Sequence, residues 1–114
     1  MNRAELAARR ARIDRIDIIL VRLMAARQRQ VMHIARLKRD PDRVRDPERI
    51  ATILDRISTA ARYHGLDEAT ATAVWRELLE RSARTQQALL LQTVEVPARH
   101  TSPSSPDMNH PRQA

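Results

Sequence analysis

Two cationic side chains interrupt an apolar pattern in the first half of the chain. Apolar residues recur there at helical spacing, and Arg27 and Lys38 fall on or beside the stripe that they form. The two cations are 11 residues apart. On one helix they therefore point within about 20° of each other, from origins about 16 Å apart. Long side chains so placed can converge on one anion; alternatively, each extends along the stripe to reach solvent.

Two uncharged polar side chains occupy a second apolar stripe, late in the chain. Ser82 and Gln86 are in helical register with apolar neighbours, so both point toward the expected core. The stripe consists of Trp75, Leu78, Ser82, Gln86 and Leu89. A buried amide needs hydrogen-bond partners, which either a neighbouring helix or a ligand can supply.

Two further cations are candidate site residues, one at the start of a predicted helix and one far from the other candidates along the chain. Arg49 is in the first turn of a predicted helix, whose N-terminus favours anions; alternatively it forms a surface ion pair with Asp46. Arg10 precedes Arg27 by 17 residues, which is about 25 Å along a helix. Arg10 therefore cannot reach the same ligand within its own chain, although in an antiparallel dimer it can enter the partner's site.

One very long helix must carry Arg27 and Lys38. Asn2 and Glu5 form a capping-box pattern, and no Pro or Gly interrupts the chain from there to about Arg39. This predicts a helix of about 36 residues and about 54 Å. The rest of the chain is too short to cover its apolar stripe, so we expect the long helices of two chains to pack on each other in a twofold dimer.

Two shorter helices and a tail complete the predicted organisation. Asp46 and Pro47 are typical of a helix start, and Gly65 is typical of a left-handed helix end. Asp67 then caps a third helix that runs to about Val94. We expect a helical domain over residues 1–96 and a disordered tail, rich in Pro and Ser, over residues 97–114.

The composition is that of an all-α protein. Among 114 residues there is one Gly, no Phe and no Cys, which argues against β-sandwiches, Rossmann-type folds and disulfides. The net charge of +7, from 21 basic and 14 acidic residues, suits an anionic partner. Lys38 is the only Lys among those 21 cations.

Composition also argues against a membrane protein and a metal site. No apolar run approaches the ~20 residues of a membrane span, and no apolar signal segment follows the N-terminus, so we expect a cytoplasmic protein. The four His residues have no ligand spacing, so no metal is expected.

Across three helices, residue type and spacing resemble the all-helical (AroQ-class, type II) chorismate mutase family. The resemblance covers residues 3–95. It is carried by the run from Arg10 to Asp17, by Arg27 and Lys38, and by the runs Val44–Arg49, His64–Asp67 and Ser82–Gln87. It implies an intertwined three-helix homodimer with two sites, each built mostly by one chain and completed by one Arg from the other.

The resemblance implies that the site binds a small dianion, chorismate or a close analogue, without a cofactor. The implied binding residues are Arg10, Arg27, Lys38, Asp46, Arg49, Ser82 and Gln86. Three of these, Lys38, Gln86 and Arg27, are the implied catalytic group. Lys38 and Gln86 donate to the ether oxygen of the breaking bond, where a compact ammonium stabilises growing negative charge better than a planar guanidinium.

The remaining implied roles concern the rest of the substrate. Arg10 of the partner chain and Arg27 hold the carboxylate of the enolpyruvyl arm. Arg49, with Ser82 nearby, binds the region of the ring carboxylate, and Asp46 lies on the side of the ring hydroxyl. Bidentate Arg contacts suit this task because they hold carboxylates in one geometry, here the compact conformer that reacts.

One position departs from the family pattern. Many members carry Glu directly after the Arg49 position, where it accepts a hydrogen bond from the ring hydroxyl, whereas this chain has Ile50. Isochorismate-pyruvate lyase and 4-amino-4-deoxychorismate mutase, on the same scaffold, have a small aliphatic residue there. The Ser82–Gln87 segment is more similar to plain chorismate mutases, and it favours the mutase.

Two non-enzymatic classes remain as alternatives. A basic helical nucleic-acid-binding protein would present its Arg side chains on an exposed recognition helix. Here the informative cations lie on apolar stripes, so we expect no nucleic-acid partner. A dimerisation module with a degenerate site would keep the helices without the chemistry.

Overall fold

The computed structural model describes residues 2–95, with side chains as far as Gln92. It contains α1 (Arg3–Lys38), a short 3-10 helix (Pro41–Arg43), α2 (Pro47–His64) and α3 (Glu68–Glu95). No strand occurs in that part of the chain. The prediction of three helices, one of them very long, is therefore confirmed. The predicted tail, residues 97–114, and the end of the predicted domain at residue 96 lie outside the described residues.

Helix α1 is continuous over 36 residues, and local signals fix both of its ends. The Asn2 side chain accepts a hydrogen bond from the Glu5 amide at 2.7 Å. At the other end Arg39 adopts a left-handed conformation with φ of 65°, and its amide donates to the Ala35 carbonyl at 2.9 Å. The length of about 54 Å accounts for most of the 63 Å long axis of the molecule.

Helix α2 begins and ends at the predicted residues. The Asp46 carboxylate accepts a hydrogen bond from the Arg49 amide at 3.1 Å, and Pro47 occupies the first turn. Gly65, with φ of 74°, ends the helix, and the Leu66 amide donates to the Ala61 carbonyl at 2.8 Å. Such 6→1 bonding is typical of a Gly-terminated helix.

Helix α3 is the framework on which the other elements are assembled. The Asp67 carboxylate accepts from the Thr70 amide at 2.9 Å and caps its start. Helix α3 packs against α1, α2 and the short 3-10 helix, which gives a flat molecule only 17 Å thick. The cluster of buried residues is correspondingly small and consists of Ala35, Val44, Ala83 and Leu90, with Leu89 against it.

Within the described residues of one chain, the N-terminal half of α1 is largely uncovered. Its large apolar side chains between residues 13 and 24 are 49–61% exposed. They form a surface, called here the α1 apolar surface, made of Ile13, Ile16, Ile18, Ile19, Leu20, Val21, Leu23 and Met24. From residue 18 onward these side chains point in most directions around the helix, so a single neighbouring helix covers only part of them.

The two left-handed helix ends predict opposite effects on stability. Gly65→Ala places a Cβ on a backbone with φ of 74°, so we expect a loss of about 1 kcal/mol of unfolding free energy. Arg39→Gly removes a Cβ at φ of 65° and should stabilise the protein by a similar or smaller amount. Urea denaturation at one fixed protein concentration measures both. A stabilising Gly65→Ala substitution would contradict the strain argument.

Candidate active site

Six of the seven predicted site residues line one cleft between the C-terminal half of α1, the start of α2 and the middle of α3. They are Arg27, Lys38, Asp46, Arg49, Ser82 and Gln86. The cleft has a volume of about 450 Å³, within the range of small-molecule sites. Apolar side chains form much of its wall, namely Val31, Ile34, Val44, Ile50, Ile53, Leu79 and Ala83.

Arg27 is the most enclosed cation of the cleft. Its Nη1 donates to Ser82 Oγ at 3.2 Å, which fixes the guanidinium of α1 against α3. Burial, and then the positive charge of Arg49, lower the pKa of Arg27 from its ordinary value. Since both effects disfavour the charged form, a bound anion would relieve them and gain affinity from doing so. Convergence on an anion therefore suits Arg27 better than extension to solvent.

Gln86 is buried, with 8% of its surface exposed. Its Nε2 donates to the Val31 carbonyl of α1 at 3.0 Å, so one N–H of the amide has an interhelical partner. The same side chain lines the cleft, and the amide has a second N–H to offer there. The structure therefore shows the interhelical hydrogen bond for one N–H of the Gln86 amide, and binding of a ligand by the other N–H stays a prediction.

Lys38 lies at the rim of the cleft. The side chain is exposed, and its Nζ donates to the Arg43 carbonyl at 3.4 Å, a long hydrogen bond. Arg43 belongs to the linker between α1 and α2, residues 39–46, so the direction of the ammonium depends on the linker's conformation. Of the two α1 cations that line the cleft, Arg27 and Lys38, the one nearer to solvent is Lys38.

Arg49 and Asp46 are not paired as side chains. The Asp46 carboxylate binds the Arg49 backbone amide as the cap of α2. Within residues 2–92, no hydrogen bond or ion pair of the structure engages the Arg49 guanidinium. The surface ion pair weighed for these two residues is therefore wrong, and the Arg49 guanidinium is available to a ligand.

The charges around the cleft favour an anion. Five cations line it, Arg27, Lys38, Arg45, Arg49 and Arg76, against the two carboxylates of Asp46 and Glu80. The local excess is thus three positive charges. Because apolar walls limit solvation on one side, this excess attracts a small anion more strongly than the same charges do on an open surface.

Arg10 is the one predicted site residue outside the cleft. It is exposed on α1, 17 residues before Arg27 on the same continuous helix, which is about 25 Å away. Within one chain it therefore contributes nothing to the cleft, in agreement with the expectation from spacing.

The sequence analysis missed three charged residues of the cleft wall, Arg45, Arg76 and Glu80. A signal was present on α3, because Arg76, Glu80, Ala83 and Gln87 follow steps of four, three and four beside the predicted stripe. Arg45 belongs to the run Val44–Arg49, but no helical spacing assigned it to the cleft, because its position depends on how the linker folds back onto α3.

In the described part of the chain, no cluster of His, Cys, Asp and Glu residues has the arrangement of a metal site. None of its helices is both long enough and apolar enough to cross a bilayer.

With this geometry established, comparison with known proteins gives the family. A sequence model of type II chorismate mutase matches residues 9–87, which include all seven predicted site residues. The chain belongs to the type II chorismate mutase family.

Individual members of the family show the same likeness. A chorismate mutase of Methanocaldococcus jannaschii is 31% identical over 90 residues, which is 78% of this chain and 91% of that protein. Bifunctional chorismate mutase/prephenate dehydratases are 32% identical over 98 residues in Enterobacter agglomerans and 35% over 88 residues in Escherichia coli. The chain spans about a quarter of those two proteins, 25% and 23% of their lengths.

The surroundings of Glu80, in the wall of the cleft, predict that the stability of the protein depends on pH. Hydrogen bonds from Arg45 and then Arg84 lower the pKa of Glu80 below its ordinary value of 4.5. The stabilisation that the carboxylate contributes is complete above about pH 5 and is lost as the pH falls through the lowered folded-state pKa. We expect the melting temperature to decrease over that interval, and to decrease less in Glu80→Gln. Glu77→Gln, which removes the ion pair with Arg81 on the same helix, is the matched control.

Proposed function

We propose that this protein is a chorismate mutase, which converts chorismate to prephenate in a unimolecular rearrangement without a cofactor. One observation carries the proposal: Arg27, Lys38 and Arg49 line the same partly apolar cleft as the buried amide of Gln86. Membership of the family supplies the reaction, and the cleft supplies groups suited to it.

The arginines would act on the conformation of the substrate. Arg27, held by Ser82, and Arg49, at the start of α2, approach the cleft from different elements. Each can bind one carboxylate of a dianion, and together they favour the compact conformer in which the reacting carbons meet. Such restraint lowers the barrier because the entropy cost of reaching that conformer is met on binding.

Lys38 and Gln86 would act on the transition state. Negative charge grows on the ether oxygen as its bond to carbon breaks, and an ammonium and an amide N–H aimed at that atom bind the transition state better than the substrate. No proton transfer is needed. The interhelical hydrogen bond of Gln86 holds the amide in place before the substrate binds.

The active assembly would be an intertwined homodimer in which Arg10 completes the partner's cleft. The α1 apolar surface supports this, because large apolar side chains 49–61% exposed on one helix need a cover. The position of Arg10 supports it too, since it lies about 25 Å from its own cleft. A twofold antiparallel pairing of α1 helices meets both requirements at once.

Ile50 supports a second candidate on the same scaffold. It lines the cleft and cannot accept a hydrogen bond from a ring hydroxyl. An isochorismate-pyruvate lyase or a 4-amino-4-deoxychorismate mutase therefore remains the alternative. Incubation with each of the three substrates separates the candidates by product: prephenate, salicylate with pyruvate, or aminoprephenate.

The other expectations stay predictions. A cytoplasmic location belongs to the proposal. So does the absence of a nucleic-acid partner, because Arg27, Lys38 and Arg49 line a cleft and not an open recognition face. If the chain bound DNA instead, its affinity would fall steeply with added salt, since phosphate contacts release counterions.

Replacement of Lys38 tests the proposed charge stabilisation. Lys38→Ala should cost about 3 kcal/mol of transition-state stabilisation, mostly as a lower kcat. Steady-state kinetics with chorismate measures the loss. Arg36→Ala, in the same last turn of α1 and exposed, is the control and should remain close to the unsubstituted protein. A turnover within twofold in Lys38→Ala would refute the role.

Subunit exchange tests the shared site. Arg10→Ala and Arg27→Ala should each be nearly inactive, yet in an equal mixture half of the dimers are hybrids with one intact site. We expect recovery to about a quarter of the unsubstituted activity. Exchange is followed by native mass spectrometry. Hybrids without recovered activity would rule out donation of Arg10 by the partner.

A further inference from the structure

The linker between α1 and α2 determines where two of the proposed functional residues lie. Lys38 immediately precedes the linker, residues 39–46, and Asp46 ends it. The main helix contacts run from α3 to α1, to α2 and to the short 3-10 helix within the linker. The positions of Lys38 and Asp46 relative to Ser82 and Gln86 therefore depend on how this linker is attached to α3.

Arg45 attaches the linker to α3 with a fork of three hydrogen bonds. Its Nη2 and Nε donate to the two carboxylate oxygens of Glu80, at 2.8 Å and 3.3 Å, and its Nη1 donates to Gln87 Oε1 at 3.2 Å. Only a guanidinium offers three donors in this planar arrangement. Although Arg45 lines the cleft, these donors are directed at protein partners.

Gln87 extends the attachment to the other end of the linker. While its Oε1 accepts from Arg45, its Nε2 donates to the Pro41 carbonyl at 3.2 Å. One amide on α3 thus binds two points of the linker that are four residues apart. Between them lies Arg43, whose carbonyl accepts the hydrogen bond from Lys38 Nζ. The direction of the Lys38 ammonium is therefore linked to the same contacts.

We propose that Arg45, Glu80 and Gln87 form a clamp of positioning residues that aligns Lys38 and Asp46 with the groups on α3. The inference rests on the proposed function and extends it to residues that do not react. Both members of the ion pair are about 40% exposed, 41% for Arg45 and 40% for Glu80, and such pairs stabilise a fold little. Loss of the clamp should therefore affect turnover more than stability.

The first test separates kcat from KM in Arg45→Ala and Glu80→Ala. Because Arg27 and Ser82 hold the substrate from α1 and α3, we expect KM to change less than about threefold. Turnover should fall at least about tenfold, since small misplacements of catalytic groups have effects of that order. Arg84→Ala is the matched control: it removes the other cation on Glu80, at 3.1 Å, without touching the linker. An equal loss of turnover in Arg84→Ala would overturn the clamp.

Two further variants distinguish positioning from direct contact with the substrate. Arg45→Lys keeps the charge and loses the fork, so it should not restore turnover; full activity would show that only charge matters. In the Arg45→Ala, Glu80→Ala double variant, the second substitution should add little, because both remove one contact. Multiplied losses would mean that Arg45 acts on the substrate itself and would overturn the proposal.

Hydrogen exchange gives a readout that does not depend on the reaction. The amides of residues 39–46 should exchange faster in Arg45→Ala and Glu80→Ala than in the unsubstituted protein or in Arg84→Ala, while the melting temperatures decrease only slightly. Unchanged exchange would overturn the clamp even if turnover fell. If the unsubstituted protein failed to convert chorismate, the proposed function would fail, whereas accelerated linker exchange would still support the clamp.

Discussion

An excess of positive charge in one partly apolar cleft is the constraint on which the candidate site depends. Arg27 and Arg49 approach one cleft from different helices, and burial, followed by the positive charge of Arg49, lowers the pKa of Arg27 from its ordinary value. Helix packing supplies the free energy that keeps them close. An anion that enters the cleft meets cations already in place, so little reorganisation accompanies binding, and this preorganisation is what a unimolecular rearrangement needs from a protein.

Helix α3 is what makes this arrangement possible in so short a chain. It holds Arg27 through Ser82, α1 through the contact of Gln86 with the Val31 carbonyl, and the linker through Glu80. Each of these contacts is made by a polar side chain of α3, on a face of the helix that would otherwise be apolar or exposed to solvent. A small core of mostly small side chains therefore coexists with a site whose polar groups also join the helices.

Among the described residues, little covers the N-terminal half of α1. In the proposed homodimer the long helix would place Arg10 and Arg27 of one chain in two different sites, because about 25 Å separates them. It also exposes the α1 apolar surface, which the described part of the same chain leaves 49–61% exposed. In the proposed homodimer these two properties act together, because the surface that drives association also brings the Arg10 guanidinium to the partner's cleft.

The sequence by itself determined the helices, their ends and most of the candidate site. Asn2, Asp46 and Gly65 act on neighbouring backbone groups, and helical periodicity brought Ser82 and Gln86 to one face, so these features follow from local rules. Only the tertiary structure decided that Arg45 binds Glu80 and Gln87, and that Lys38 lies at the rim. Those outcomes depend on how the linker folds back across α3. The contacts that hold it there join residues separated by 35 to 46 positions in the chain, and no local pattern encodes such a contact.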